Sequence, residues 1–191
     1  MPGAPFMRGD HVTLRTVEEE DAVFLRDNSN DPRIRRPMTI TGPSNLEQTR
    51  EHDSDGDDFS LLICVEGDQT GYVERFVDDE GPEPVEPVGV VFCWPRDDTA
   101  GEVEIAYWIT PAAQGEGLMT EAVSLALDYA FGQRRIHRVR ARTLVSNDGS
   151  RAVLGKLGFT EEGVMREAKF VDGEHVDVVL HSVLSHEWHD R

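Results

Sequence analysis

The sequence predicts an α+β fold, a largely antiparallel sheet with helices laid on it, and three observations predict it. Three apolar, β-rich runs over 59–65, 88–94 and 102–109 follow one another, the last two across a short turn, as in a meander. A stripe at helical spacing comes next, with Leu118, Ala122, Leu125, Ala126 and Tyr129 on one face. Two more strand-like runs, over 159–170 and 176–183, flank Asp172-Gly173, a hairpin turn pair.

The other elements are short. Residues 12–15 alternate as a strand, and Glu18, Glu19, Glu20 and Asp21 suit the first turn of a helix, where carboxylates meet the positive end of the dipole. Ala22, Phe24 and Leu25 give that helix a modest apolar face, and it should fade between Asn28 and Pro32. Over 33–58 the pattern is weak. Arg33, Arg35 and Arg36 form the one early basic cluster, and Ser44 is placed to cap a helix ending at His52. The acidic run 53–58 has part of a calcium-loop pattern without its twelfth-position glutamate, so no metal site is expected. Residues 71–77 read as one more strand, and 67–87, rich in acids and proline, as a surface excursion. Over 138–144, Val139, Ala141 and Thr143 alternate with Arg138, Arg140 and Arg142, a strand with one wet, basic side. Residues 146–150 cap a helix that closes at Gly158.

With 191 residues and no internal repeat, one domain over 1–191 is expected. The chain has 37 acidic against 19 basic residues, a net charge of −18, and only Lys156 and Lys169 among the bases are lysines. Such a balance fits a surface adapted to high salt, or one that attracts a cationic substrate; it argues against nucleic acid, whose phosphates need clustered Lys and Arg. No apolar run reaches transmembrane length and the N-terminal residues have no signal-like apolar core, so a cytoplasmic protein without membrane contact is expected. Cys64 and Cys93 lie in strand-like runs and read as buried free thiols.

Between the strand over 102–109 and the helical stripe lies the turn Thr110-Pro111-Ala112-Ala113-Gln114-Gly115-Glu116-Gly117. Strand, glycine-bearing turn and helix together make an anion site. The first N–H groups of a helix have no internal partner and its dipole adds about half a positive charge there. No Gly-Lys-Ser/Thr follows, so a P-loop is excluded.

Four segments in fixed order, Glu104 to Ile109, Gln114 to Gly117, Asn147 to Ala152 and Lys156 to Phe159, resemble the GNAT acetyltransferases. More narrowly they are similar to the RimJ/RimL branch, which acetylates protein N-termini and related amines. Leu14-Arg15 with Asp21, Phe170 to Gly173 with Asp177, and Trp188 also fit that branch. The resemblance implies the acyl-CoA N-acyltransferase fold, with helices on both faces of a mixed sheet and a splayed strand pair, 102–110 against 138–145. It implies acetyl-CoA as co-substrate, no metal, and a primary amine as acceptor, a protein N-terminal α-amine before a polyamine or antibiotic-type amine. A non-catalytic acyl-CoA sensor is the other class of reading, and a monomer or homodimer is expected.

The same resemblance implies that backbone N–H groups of Gln114, Gly115, Glu116, Gly117, Leu118, Met119 and Thr120 hold the pyrophosphate. Met119 stands where a small residue is commoner. Ile109 and Thr110 flank the reacting end, with a strand N–H near Ile109 as oxyanion donor. Asn147 holds the pantetheine arm or caps the following helix, and both roles can coexist. Glu104 matches the strand carboxylate that serves as general base, unless it points into solvent. Ser150 matches the proposed proton donor to the thiolate, against a plain first-turn serine. Tyr107 is a second donor candidate, against simple packing. His175 and Asp177 on the last hairpin are exposed polar residues or acceptor contacts.

Overall fold

In the computed structural model, which describes residues 2–52, 59–66 and 85–190, eight strands form one sheet in the order β1-β2-β3-β4-β5-β6-β8-β7. The strands are β1 (Pro5–Arg8), β2 (Thr13–Thr16), β3 (Phe59–Glu66), β4 (Val85–Asp97), β5 (Glu102–Ile109), β6 (Arg138–Leu144), β7 (Thr160–Val171) and β8 (Glu174–Leu184). All neighbours are antiparallel except β5 and β6. That parallel pair is joined by the long helix α4 (Leu118–Gln133), the crossover a parallel connection requires.

Alternation in each strand divides the core in two. On one face Leu61, Ile63, Val91, Cys93, Val103, Ile105, Val139 and Ala141 pack with Ala122, Val123, Ala126 and Leu127 of α4 and Leu154 of α5 (Asp148–Lys156). On the other, Leu62, Cys64, Val90 and Trp108 meet Leu25 of α1 (Ala22–Asn30) and Ile34 of α2 (Pro32–Arg35). Helices therefore cover both faces. Cys64 and Cys93, both buried and neither in a disulfide, fall on opposite faces, which rules out a bond between them.

Several boundaries differ from the sequence reading. Helix α3 (Leu46–His52) is capped by Asn45, whose side chain accepts from the Gln48 N–H at 2.9 Å while Gln48 accepts from the Asn45 N–H; Ser44 instead gives its N–H to Asn30. Residues 85–87 belong to β4 and not to the excursion, because they pair with 64–66. Gly132 does not stop α4, which runs to Gln133. The possible strand over 71–77 and the acidic run 53–58 lie outside the described residues. The last helix, α6 (Ser185–His189), is held to α4 by a hydrogen bond of 2.8 Å from Trp188 Nε1 to Asp128.

Candidate active site

The site begins with a failure of pairing. Strands β5 and β6 share only three partners, Glu102 with Arg138, Val103 with Val139 and Glu104 with Arg140, and then diverge. Past that point Thr110 donates its N–H to Val88 at 2.7 Å, as part of the ladder with β4. Ladder bonds in an antiparallel pair alternate, so Tyr107 and Ile109 turn their N–H and C=O groups the other way, into the gap. An open strand edge facing a cleft offers hydrogen bonds to an extended ligand arm. Gly89 allows the close approach of β4 there: a Cβ would run into the Trp108 carbonyl oxygen and lie 3.1 Å from the Ile109 Cα.

A cavity of about 800 Å³ fills the gap and continues to the start of α4. Its rim is the turn expected to hold the pyrophosphate. Gly117 caps α4 with φ +83°, Gly115 has φ +93°, and a Cβ at either would meet nothing within 4 Å, so the backbone there is open to a ligand. The Glu121 N–H is the first of the helix to find an internal partner, the Gly117 carbonyl, leaving the donors before it for an anion. Met119 is buried in the core, so its size is absorbed by packing and the backbone turn is kept.

Of the residues expected at the donor end, Ile109, Gln114, Gly115, Gly117, Leu118, Met119, Thr120 and Asn147 line this cavity. Thr110 and Glu116 are not in its wall, and the Thr110 N–H is committed to Val88. Gln114 reaches back with Nε2 to the Ile109 carbonyl at 3.4 Å. Asn147 caps α5, its Oδ1 accepting the Ser150 N–H at 3.1 Å, and that cap fixes where Ser150 points. Ser150 Oγ lies 3.0 Å from Tyr107 Oη across the gap. Burial pushes the Tyr107 phenol well above its usual range, only partly opposed by the bond to Ser150, so the pair carries its protons at neutral pH.

A second, smaller cavity of about 180 Å³ adjoins the first, sharing Tyr107, Leu144, Asn147, Ser150 and Met38. Glu104 is in its wall, and the solvent-pointing alternative fails because the residue is only 3% exposed. Arg96 Nη2 sits 2.6 Å and Arg140 Nε 3.2 Å from Oε2, and Arg142 Nη2 lies 2.8 Å from Oε1. Burial pushes the Glu104 carboxyl up, but the hydrogen bonds and charges of Arg96 and Arg142 outweigh it and hold the group ionised. The wet, basic side of β6 is thus the lining of an ion-pair network that also takes in Glu102 and Glu162.

Other expected contacts have structural partners. Asp177 Oδ1 accepts the Glu167 N–H at 2.8 Å and holds a bulge in β7, while exposed His175 packs edge-on to Phe170. The cleft wall that the sequence left unassigned comes from α2 and the β7–β8 hairpin: Arg33, Arg36, Pro37 and Met38 stand opposite Val171 and Asp172, and Arg36 Nε is 3.2 Å from Asp172 Oδ2. The early basic cluster was the one signal for it. Among the described residues no group of three His, Cys, Asp or Glu is placed to hold a metal, and no helix is long and apolar enough to cross a membrane.

Known proteins are similar to this chain in sequence and in fold. YdaF of Bacillus subtilis strain 168, named as a candidate ribosomal N-acetyltransferase, is 37% identical over 186 residues, 94% of each chain. The spermidine N(1)-acetyltransferase of Escherichia coli K12 is 29% identical over 183 residues, 93% of this chain and 88% of that one. The structure of Mycobacterium smegmatis RimJ in complex with CoA-disulfide superposes with a TM-score of 0.70 at 25% identity, covering 92% of this chain and 83% of that one. Residues 11–160 match the Acetyltransferase (GNAT) domain. Splayed strands, open cradle and family match agree: the chain belongs to the GNAT acetyltransferases, of the RimJ/RimL-like branch, and is an acetyl-CoA-dependent N-acetyltransferase.

Proposed function

We propose that this single-domain enzyme acetylates the α-amine at a protein N-terminus, by direct attack of the amine on acetyl-CoA while both are bound. One observation carries the choice of acceptor. The carboxylate in the acceptor cleft, Glu104, is held ionised by Arg96, Arg140 and Arg142 and has little affinity for a proton. A site with so weak a base needs an amine that is already neutral. With a pKa of about 7.7–8.0, roughly a third of α-amines are neutral at about pH 7.5, against about one in a thousand for a lysine-type amine near 10.4. The likeness to YdaF supports the same reading.

In this mechanism the first-turn amides of α4 hold the pyrophosphate, and the gap-facing groups of Tyr107 and Ile109 take the pantetheine arm beside Asn147. The Ile109 N–H polarises the thioester oxygen as it gains charge. The nitrogen lone pair forms the new C–N bond, and the C–S bond breaks as the tetrahedral adduct collapses. The sulfur takes a proton from the Tyr107–Ser150 pair, which recovers one through water from the adduct nitrogen, cationic once its lone pair has formed the C–N bond, so protons balance. Glu104 acts as a fixed anion that positions the β4 and β6 arginines, in place of the base the resemblance implied.

Thiol release from acetyl-CoA with an N-terminal peptide, the same peptide blocked at its α-amine but carrying lysine, and spermidine tests the acceptor. The free α-amine peptide is expected to react at least about tenfold faster, with kcat/KM rising to a plateau above about pH 8 as the amine titrates. Turnover of spermidine with silent peptides overturns the reading.

A further inference from the structure

The acceptor cleft carries a positive charge in a strongly negative protein, and that charge has nothing to do in acetyl transfer. Its charged lining residues are Glu104, Arg142 and Lys169. Glu104 is already shared among three guanidiniums. Lys169, on β7, is half-buried and makes no hydrogen bond or ion pair with any described residue, although the chain as a whole has 37 acids for 19 bases. A charge drawn partly out of water is normally paired, and one in a cleft wall is paired by what enters the cleft. Apolar Pro37, Met38 and Trp94 complete the wall.

We propose, resting on the α-amine reading above, that the acceptor bears a carboxylate a few bonds from the amine that is acetylated. Lys169 pairs with that carboxylate. A volume of about 180 Å³ has room for about six waters at about 30 Å³ each, enough for one residue of an acceptor and not its length. The carboxylate is therefore an acidic side chain in the second position of a peptide, or the α-carboxylate of a free amino acid. A polycation is selected against, because its second and third charges would meet Lys169 and Arg142 with no unshared carboxylate in the wall.

The test is a matched panel at one fixed salt concentration: peptides that begin Ser-Glu, Ser-Gln and Ser-Lys, free serine, serine amide, and spermidine. For the wild-type enzyme the Ser-Glu peptide is expected to exceed Ser-Gln at least tenfold in kcat/KM, with Ser-Lys slowest. Serine above both serine amide and Ser-Glu identifies the free amino acid as the source of the carboxylate; Ser-Glu above serine identifies the peptide. Lys169→Gln is expected to bring the Ser-Glu to Ser-Gln ratio near one and Lys169→Arg to keep it, a selectivity change that a loss of folding would not produce. Peptides acetylated without regard to charge, or a ratio unmoved by Lys169→Gln, overturn this inference and leave the α-amine reading standing. Spermidine acetylated while every peptide is silent overturns both.

Discussion

Glu104 shows what a single residue does when its neighbours are all charged. Its carboxylate is buried and its three arginine partners are about one-third exposed, so solvent screens part of each attraction. Glu104→Gln leaves three guanidiniums around a neutral amide and is expected to destabilise the protein by about 2 kcal/mol at neutral pH. A carboxyl with a folded pKa below its unfolded value of about 4.3 adds stability above that value and loses it as pH falls through the folded pKa. Melting curves of wild type and variant should therefore differ by several degrees at pH 7 and converge below about pH 4, while the kcat pH profile keeps its shape. Tyr107→Phe tests the other wall: kcat is expected to fall about 100-fold with the Kd for CoA little changed, and Ser150→Ala to cost less, because the phenol remains. Equal kcat for Tyr107→Phe and wild type would take the phenol out of the proton transfer to the thiolate. The residues of this constellation were legible as types on strands. Their meeting was not, since the alternation of Arg138, Arg140 and Arg142 shows a basic side without showing that Glu104 on a parallel neighbour faces it.

At the scale of elements, the turn into α4 was the most legible part of the chain, because glycines between a strand and a helical stripe have few other uses. Its geometry makes a sharp demand: Gly117 is left-handed and open, so Gly117→Glu brings both backbone strain and a carboxylate into the pyrophosphate position. Isothermal titration should find CoA binding weakened more than about 100-fold with far-ultraviolet dichroism unchanged. Gly89 was read only as part of an apolar run, because a close approach between strands leaves no mark on hydropathy. Gly89→Val is expected to force β4 away from β5 at Trp108 and Ile109, lowering stability by about 2 kcal/mol or more in a denaturant titration. Caps were less legible than the helices they start. Ser44 and Asn45 are both good N-caps by type, and only the reciprocal bonds with Gln48 choose the second.

For the molecule as a whole, composition spoke about solvent more than about shape. The sequence marked most of the strands, whereas the insertion of β8 between β6 and β7 and the parallel β5–β6 pair come from chain topology that periodicity does not encode. A net charge of −18 repels itself, and that repulsion fades as the Debye length falls from about 10 Å at 0.1 M to about 3 Å at 1 M salt. The melting temperature is expected to rise by several degrees between 0.1 and 2 M KCl; a flat or falling curve would remove high-salt adaptation as the reason for the acids.

The three rungs between β5 and β6 have a mechanical consequence. They make the sheet a half-open book, with β1 to β5 as one cover and β6, β8 and β7 as the other. At the spine the covers share rungs and core; at the free edge an exposed clasp, Arg36 to Asp172, spans them. Such a clasp is worth at most about 1 kcal/mol and loosens with salt. A donor held in the gap as proposed bonds to both covers and becomes the page that keeps them at a fixed angle. CoA at about 100 times its Kd should then add about 2.7 kcal/mol to the whole fold, roughly 5–10 °C in melting temperature. On that placement the reactant is also a brace, and product release is the step at which the book is expected to relax.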